Sequence, residues 1–397
     1  MSFLHRTIET IWQRHSMGAR IGWAALTPFS LVFSLAVRAR NVSYDLGILP
    51  AVRVPPTVIS IGNLTVGGTG KTPLTLWLAH ALRQRGVTVG IVTRGYRGTA
   101  TGPTLVGKDG SPLTTPAEVG DEAVMLARRF AGIVIAGRDR AAAATFAHQH
   151  FALDIVLLDD GFQHRRLHRD VEILLFSVQS ATNTWLLPAG PFREPLTSMR
   201  RAHVVVLSKK TATQEQLPSL LFPPNPQSAI RNPQSAPPNP QSAIPTFHAE
   251  LVPTALVQVV DGQWQKRPLS ALAGKRVMTV SAIANPKPFY STLREQGAEL
   301  TRVVEFPDHH SYTHSEWQQL VHQSSSVDAL LTTEKDLVKL EHLVPTIDRL
   351  LALRVDLQLE PAEAFLSTIE QRLRLQNVNR TDNGRTISHQ SSHRPAR

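Results

Sequence analysis

The chain has no cysteine. That excludes disulfides, Cys-ligated zinc, Cys-ligated iron–sulfur clusters and thiol catalysis. It fits a reducing compartment. Aromatic residues are scarce, at 6%. Nucleic-acid domains combine dense basic stripes with interleaved aromatics, so nucleic acid is set aside as a partner. Acids are also in deficit: 31 Asp+Glu face 42 Lys+Arg, for a net charge of +11. Such a surplus calls for an anionic partner, either an acidic membrane surface or a phosphorylated substrate. What is present is a chain of 397 residues, 42% hydrophobic. That is enough for a real core and for two to three domains.

The positive charge sits mainly at the ends. Residues 1–53 hold six Arg and two acids, and residues 377–397 hold four Arg and one Asp. Between Arg20 and Arg38 lie seventeen uncharged residues, Ile21 to Val37, with Pro28 inside the run. A spanning helix needs about 20 residues. Arginines on both flanks give no inside–outside asymmetry, and Arg38-Ala39-Arg40 replaces a signal-peptidase site. The run reads as an interfacial helix or short anchor with Arg on anionic headgroups. A buried core helix and a true span are the alternatives.

From Thr57 onward, apolar runs of strand length alternate with helical periodicity. Strands are expected at Thr57–Gly62, Val87–Val92, Gly132–Ala136, Asp154–Leu158, Val171–Phe176 and His203–Leu207. Helices are expected at Pro73–Arg85, Asp121–Phe130 and Arg138–His150. Mostly apolar strands fit a parallel sheet covered on both faces. The sequence Asn-Pro-Gln-Ser-Ala then occurs three times, from Asn225, Asn232 and Asn239. Such dense proline blocks helix and ladder bonding, so this stretch reads as a flexible linker or neutral insertion. A second α/β segment follows, with strands at Val277–Val280 and Ala329–Leu331 and a helix at Pro288–Gln296. The expected organisation is a membrane-associated segment over 1–45, a P-loop domain over 46–213 and a linker over 214–246. A C-terminal α/β domain over 247–376 and a disordered basic tail over 377–397 complete it.

The chemistry starts at Thr65-Val66-Gly67-Gly68-Thr69-Gly70-Lys71-Thr72, between an expected strand and an expected helix. That context is the one a P-loop requires. The glycines let successive backbone N–H groups turn toward phosphate oxygens. Lys71 is placed to reach the β/γ-phosphates and Thr72 to hold Mg²⁺. Thr65 stands where the strict pattern has Gly. Ile155-Val156-Leu157-Leu158-Asp159-Asp160 reads as a Walker B strand that supplies a metal carboxylate. Asp159 and Asp160 alternate faces, and the sequence leaves open which lies nearer the metal. The basic stretch Gly161–Asp170 suits an anionic substrate, and it is equally readable as a solvated loop. Gly120-Asp121-Glu122 reads as a helix N-terminus with acids on the dipole.

Two strings, Gly67-Gly68-Thr69-Gly70-Lys71-Thr72-Pro73 and Asp159-Asp160-Gly161-Phe162-Gln163-His164-Arg165-Arg166, resemble the tetraacyldisaccharide 4'-kinase family of lipid A biosynthesis. Further matching strings are Arg94–Gly98, Gly120–Glu122, Leu187–Pro191, Arg193–Pro195, Phe306–His310 and Thr332–Asp336. One departure is Ala284, where the family usually carries Gly; a left-handed backbone there would strain an alanine.

The resemblance implies ATP- and Mg²⁺-dependent transfer of a γ-phosphoryl group to the 4'-hydroxyl of a tetraacyl glucosamine disaccharide 1-phosphate. It implies an α/β fold: a P-loop NTPase-like parallel sheet flanked by helices, a second smaller α/β domain and an N-terminal membrane-associated helix. It assigns Asp121 as catalytic Asp, with His309 as its partner from the second domain and Lys71 on the phosphates. Residues 65–72 are the expected nucleotide cradle, and Thr72, Asp159 and Asp160 the expected metal residues. His164, Arg165, Arg193 and Glu194 are candidate substrate contacts. The expected partners are the lipid disaccharide and the inner-membrane surface, with no obligate protein partner. The expected place is the cytoplasmic face of that membrane, as a peripheral or monotopic protein. The alternative is a P-loop GTPase switch at the membrane. The Asn-Lys-x-Asp base-reading motif of such proteins has no match here.

Overall fold

The computed structural model describes residues 8, 10–177, 183–208, 244–343 and 348–374. The expected Asn-Pro-Gln-Ser-Ala linker lies outside these residues except for its last three positions, and the expected basic tail lies wholly outside them.

An N-terminal helix, α1 (Met17–Asp45), precedes the sheet. The first half then runs β1 (Thr57–Gly62), α2 (Lys71–Gln84), β2 (Val89–Thr93), β3 (Thr104–Lys108) and β4 (Ser111–Pro112). It continues with α3 (Pro116–Val119), α4 (Asp121–Arg129), β5 (Ile133–Ala136), α5 (Arg140–His150), β6 (Ile155–Asp159), β7 (Val171–Phe176) and β8 (Val204–Ser208). The second half contains β9 (Thr246–Val260), β10 (Gln263–Arg267), β11 (Arg276–Ser281), α6 (Lys287–Glu295) and β12 (Glu299–Glu305). After these come α7 (His314–Gln323), β13 (Ala329–Thr333), α8 (Glu334–Leu340) and β14 (Leu350–Glu360), and a last helix covers 362–374.

The strands form one 14-stranded sheet in the order β12-β11-β13-β14-β9-β8-β7-β1-β6-β2-β5-β3-β4, with β10 paired on β9. From β8 to β5 neighbouring strands are parallel. Their apolar runs are buried on both faces, as the sequence pattern requires. Leu74, Leu78 and Leu82 form the inward stripe of α2 and pack with α4 and the last helix on one face. The Ala-rich face of α5 covers the other.

The two halves share that sheet. β9 is fifteen residues long. It pairs in parallel with β8 and antiparallel with β14, so the sheet runs unbroken from one half into the other. The sequence pattern does not point to β9 or β14, because their burial alternates irregularly along the strand.

Only one stripe of α1 docks on the body. Val37 and Phe33 join a cluster with Leu64, Phe162 and Phe192. Ser30 Oγ donates to the Leu186 carbonyl at 2.7 Å, and Asn41 Nδ2 to Glu194 at 2.8 Å. The opposite stripe carries Ile21, Phe29, Val32 and Leu35, each at least 65% exposed. The helix is long and apolar enough to cross a membrane, and 11% of its apolar window is buried. A core helix is therefore not what the fold provides. Ala284 does not adopt left-handed backbone, so its replacement of the family's Gly brings no φ strain.

Candidate active site

The nucleotide side is built from β1, α2 and β6. The chain leaves β1, turns through residues 63–70 and enters α2, with Gly70 as N-cap at φ 95°. That left-handed conformation suits glycine. The start of the loop is pinned from outside: the Val66 N–H donates to the Pro191 carbonyl at 2.9 Å and Arg193 N–H to the Leu64 carbonyl at 2.7 Å. Among the described residues, the N–H groups of Gly67, Gly68, Thr69 and Gly70 donate to no protein acceptor. Gly67 and Gly68 border open space. Four successive unpaired donors ahead of a helix form an anion cradle.

Lys71 Nζ lies 3.5 Å from the Gly67 carbonyl and 3.6 Å from Asp160. Thr72 Oγ1 donates to Asp159 at 3.2 Å. Thr75 and Thr93 donate to the same carboxylate at 3.1 and 3.4 Å. Asp159 is buried, and that burial, with the nearby charges of Glu122 and Asp160, pushes its carboxyl up to about 6. A divalent cation would relieve this. The donors are all oxygens, which suits Mg²⁺. Among the described residues no group of three or more His, Asp or Glu is gathered to hold a metal alone. Phosphate oxygens would supply the remaining ligands, as is usual for Mg²⁺.

Asp160 has a left-handed backbone, at φ 54°. Arg193 donates to both its oxygens, at 2.9 and 3.0 Å. Burial opposes its ionisation, but Lys71 and Arg193 outweigh burial and hold the carboxyl below its ordinary value. Gln163 accepts from Arg193 at 3.4 Å and donates to the Asn63 carbonyl at 2.9 Å. His164 is pushed down to about 4 by burial and by Arg140, so it is neutral at pH 7.

Two candidate contacts face elsewhere. The Glu194 carboxylate is buried and is taken up by Arg201 and Asn41. Arg165 donates to the Asn41 carbonyl at 2.8 Å and to Asp45 at 2.6 Å. Both residues anchor α1 to the sheet, and their polar groups are already occupied.

The acceptor side joins the halves. Gly120 caps α4 at φ 86°, and a Cβ there would lie 2.2 Å from the Tyr96 carbonyl oxygen. Only glycine lets the Arg94–Gly98 segment approach so closely. Asp121 follows, 5% exposed. His309 Nδ1 donates to its two oxygens at 2.9 and 3.0 Å. Arg97 donates to the Asp308 carbonyl at 3.1 Å, and the Tyr96 ring centre lies 5.3 Å from that of His309. Burial would raise the Asp121 carboxyl; the His309 hydrogen bond and the charges of Lys335, His309 and Lys339 outweigh it and pull it to about 2. His310 turns away: it stacks on Phe306 and meets Glu316 at 3.2 Å.

Sequence reasoning missed Thr75, Thr93, Arg140, Gln163, Glu122 and the lysines of α8. Thr75 was detectable, because it stands four residues after Lys71 on one helical face. The others become visible only with the sheet order.

A family model described as Tetraacyldisaccharide-1-P 4'-kinase matches residues 22–374. A protein of Anaeromyxobacter sp. (strain K), named Tetraacyldisaccharide 4'-kinase, is 39% identical over 364 residues, 89% of this chain and 91% of that protein. Its namesake in Geobacter metallireducens is 38% identical over 336 residues, 83% of this chain and 91% of that one. The crystal structure of LpxK from Aquifex aeolicus in complex with ATP superposes with a TM-score of 0.70 at 29% identity, covering 88% of this chain and 99% of that one.

Proposed function

The chain belongs to the tetraacyldisaccharide-1-P 4'-kinase family, and from that premise we propose which of its residues carry the reaction. The activity is transfer of the ATP γ-phosphoryl group to the 4'-hydroxyl of a tetraacyl disaccharide 1-phosphate, a step of lipid A biosynthesis. The observation that supports the site assignment most is the His309–Asp121 hydrogen bond between residues 188 positions apart.

Phosphoryl transfer is mainly a problem of position and charge. The unpaired N–H groups of residues 67–70 and the Lys71 ammonium hold the β/γ-phosphates. Thr72 and Asp159 would hold Mg²⁺, with Asp160 as the neighbouring carboxylate. Mg²⁺, when bound, neutralises charge on the transferring group. Arg193 keeps Asp160 ionised and aimed at Lys71. The Asp121 carboxylate takes the proton of the acceptor hydroxyl, while His309 Nδ1–H orients it. A carboxylate this acidic is a weak base. It suffices because the transition state is loose and demands little charge on the nucleophile.

The exposed stripe of α1 lies in the acyl region of an anionic membrane, with Arg14, Arg20, Arg38 and Arg40 near the headgroups. The need for ATP supports a position on the cytoplasmic face of the inner membrane. The P-loop unit over 46–213 and the C-terminal unit over 247–376 each supply one side of the site. The test is direct. Purified protein, ATP and Mg²⁺ should phosphorylate a tetraacyl disaccharide 1-phosphate in detergent micelles without any added protein. ATP binding with no transfer, or GTP turnover without an acceptor, would contradict the assignment.

A further inference from the structure

α8 brings two lysines, Lys335 and Lys339, to the first turn of α4. They are one turn apart and therefore on one face of the helix. Lys335 Nζ lies 2.8 Å from Glu122 Oε1. Lys339 Nζ lies 3.8 Å from Asp121 Oδ2 and 2.7 Å from Asp336 Oδ1. The Lys339 side chain is 8% exposed, and its ammonium lies 5.2 Å from the centre of the Tyr312 ring. Burying an ammonium is costly unless carboxylates pair with it.

The contacts close into a ring. Asp336 Oδ2 accepts from the Ala282 N–H at 3.0 Å. The Ala282 carbonyl accepts from the His309 N–H at 3.1 Å, where His309 sits in left-handed backbone at φ 58°. His309 Nδ1 returns to Asp121 at 2.9 Å. The ring therefore runs Asp121, His309, Ala282, Asp336, Lys339 and back to Asp121. The far end of α4 is tied separately: Arg128 meets Glu341 at 3.1 Å, and Arg129 meets Glu334 at 3.1 Å. Those arginine pairs are contacts between the two halves that do not involve the lysines.

Resting on the kinase assignment above, we propose that Lys339, seconded by Lys335, is a positioning residue for phosphoryl transfer. Its ammonium ties the carboxylate of Asp121 to the same Asp336 that fixes the His309 backbone, so both members of the pair are set from one point. The charged groups facing Asp121 are His309 with Asp308 behind it, Lys335 and Lys339 with Asp336 behind them, and Glu122 on its own helix. Both lysines help to keep Asp121 ionised.

The test is Lys339→Met, with Lys339→Arg beside it, assayed with wild type in the same micelles. We expect kcat to fall roughly tenfold or more while the KM for ATP stays within about twofold. Loss of this positive charge removes one of the influences that lower the Asp121 pKa, so the acid limb of the kcat profile should move to higher pH. Lys339→Arg should restore most of kcat. An active wild type with an equally active Lys339→Met would overturn this inference and leave the kinase assignment standing; an inactive wild type would overturn the assignment itself. A loss of kcat that tracks a lower Tm, with the acid limb unmoved, would show a merely structural role and overturn the proposal. If Lys339→Met fails to fold, the charge reversal decides. Glu122→Lys and Lys335→Glu should each lower kcat, and the double variant should regain much of it; no regain overturns the proposal.

Discussion

Lys71, Thr72 and Asp159 reach one another within one β1–α2–β6 unit, whereas Asp121 and His309 meet across 188 positions and two halves of the chain. The nucleotide side is a local device. Parallel pairing of β1 with β6 brings Ile61 opposite Asp159, and the loop after β1 then lies beside the carboxylate. The acceptor side depends on the whole sheet. Its parts come from α4, from the loop after β12 and from α8, and they are held by ion pairs as well as by packing. A local device tolerates distant change, while a device spread over the sheet is sensitive to any shift between the halves.

The largest expected effect breaks the local side. Lys71→Ala should lower transfer by about 10²-fold or more, corresponding to ~3 kcal/mol of transition-state stabilisation. It should also weaken ATP binding, which equilibrium titration would read. Asp121→Ala should lower kcat on a similar scale, about 10²-fold, while the KM for ATP stays near wild type. A rise in that KM would mean that the two sides are not separable.

The contrast also explains what the sequence made legible. The P-loop, the Walker B strand and most strands of the first half were readable, because short-range spacing specifies them. Ala284 looked like a local strain and is none, since its backbone is not left-handed. Glu194 and Arg165 read as candidate contacts because they fall in strings that resemble the family, yet both are occupied in holding α1. Their partners Asn41 and Asp45 lie more than a hundred residues away, and no spacing rule reports them. The closing lysines of α8 were hidden for the same reason. The string Thr332–Asp336 was visible as a motif, but its chemistry appears only when α8 is laid against α4.

Effects outside catalysis sharpen the picture further. Replacing Phe29, Val32 and Leu35 by Ser should reduce binding to anionic vesicles by roughly a hundredfold, since each exposed apolar side chain contributes on the order of 1 kcal/mol at the interface. Activity on substrate in detergent should change much less, and co-sedimentation with vesicles would separate the two. The pH dependence of stability gives the smallest signal. The Asp121 carboxyl is pulled down in the fold to about 2, below the ordinary aspartate value. Its contribution to stability is therefore present above pH 4 and lost as the pH falls toward 2. Asp121→Asn should flatten the Tm profile in that window by a few degrees, about 2–4 °C.

The central claim is that Asp121 and His309 act as one unit on the acceptor while the P-loop holds the nucleotide. A double-mutant cycle on kcat tests it most directly: Asp121→Ala, His309→Ala and the two together. The account predicts that the double variant is no slower than the slower single one, with ATP affinity unchanged in all three. Rate losses that multiply would contradict it.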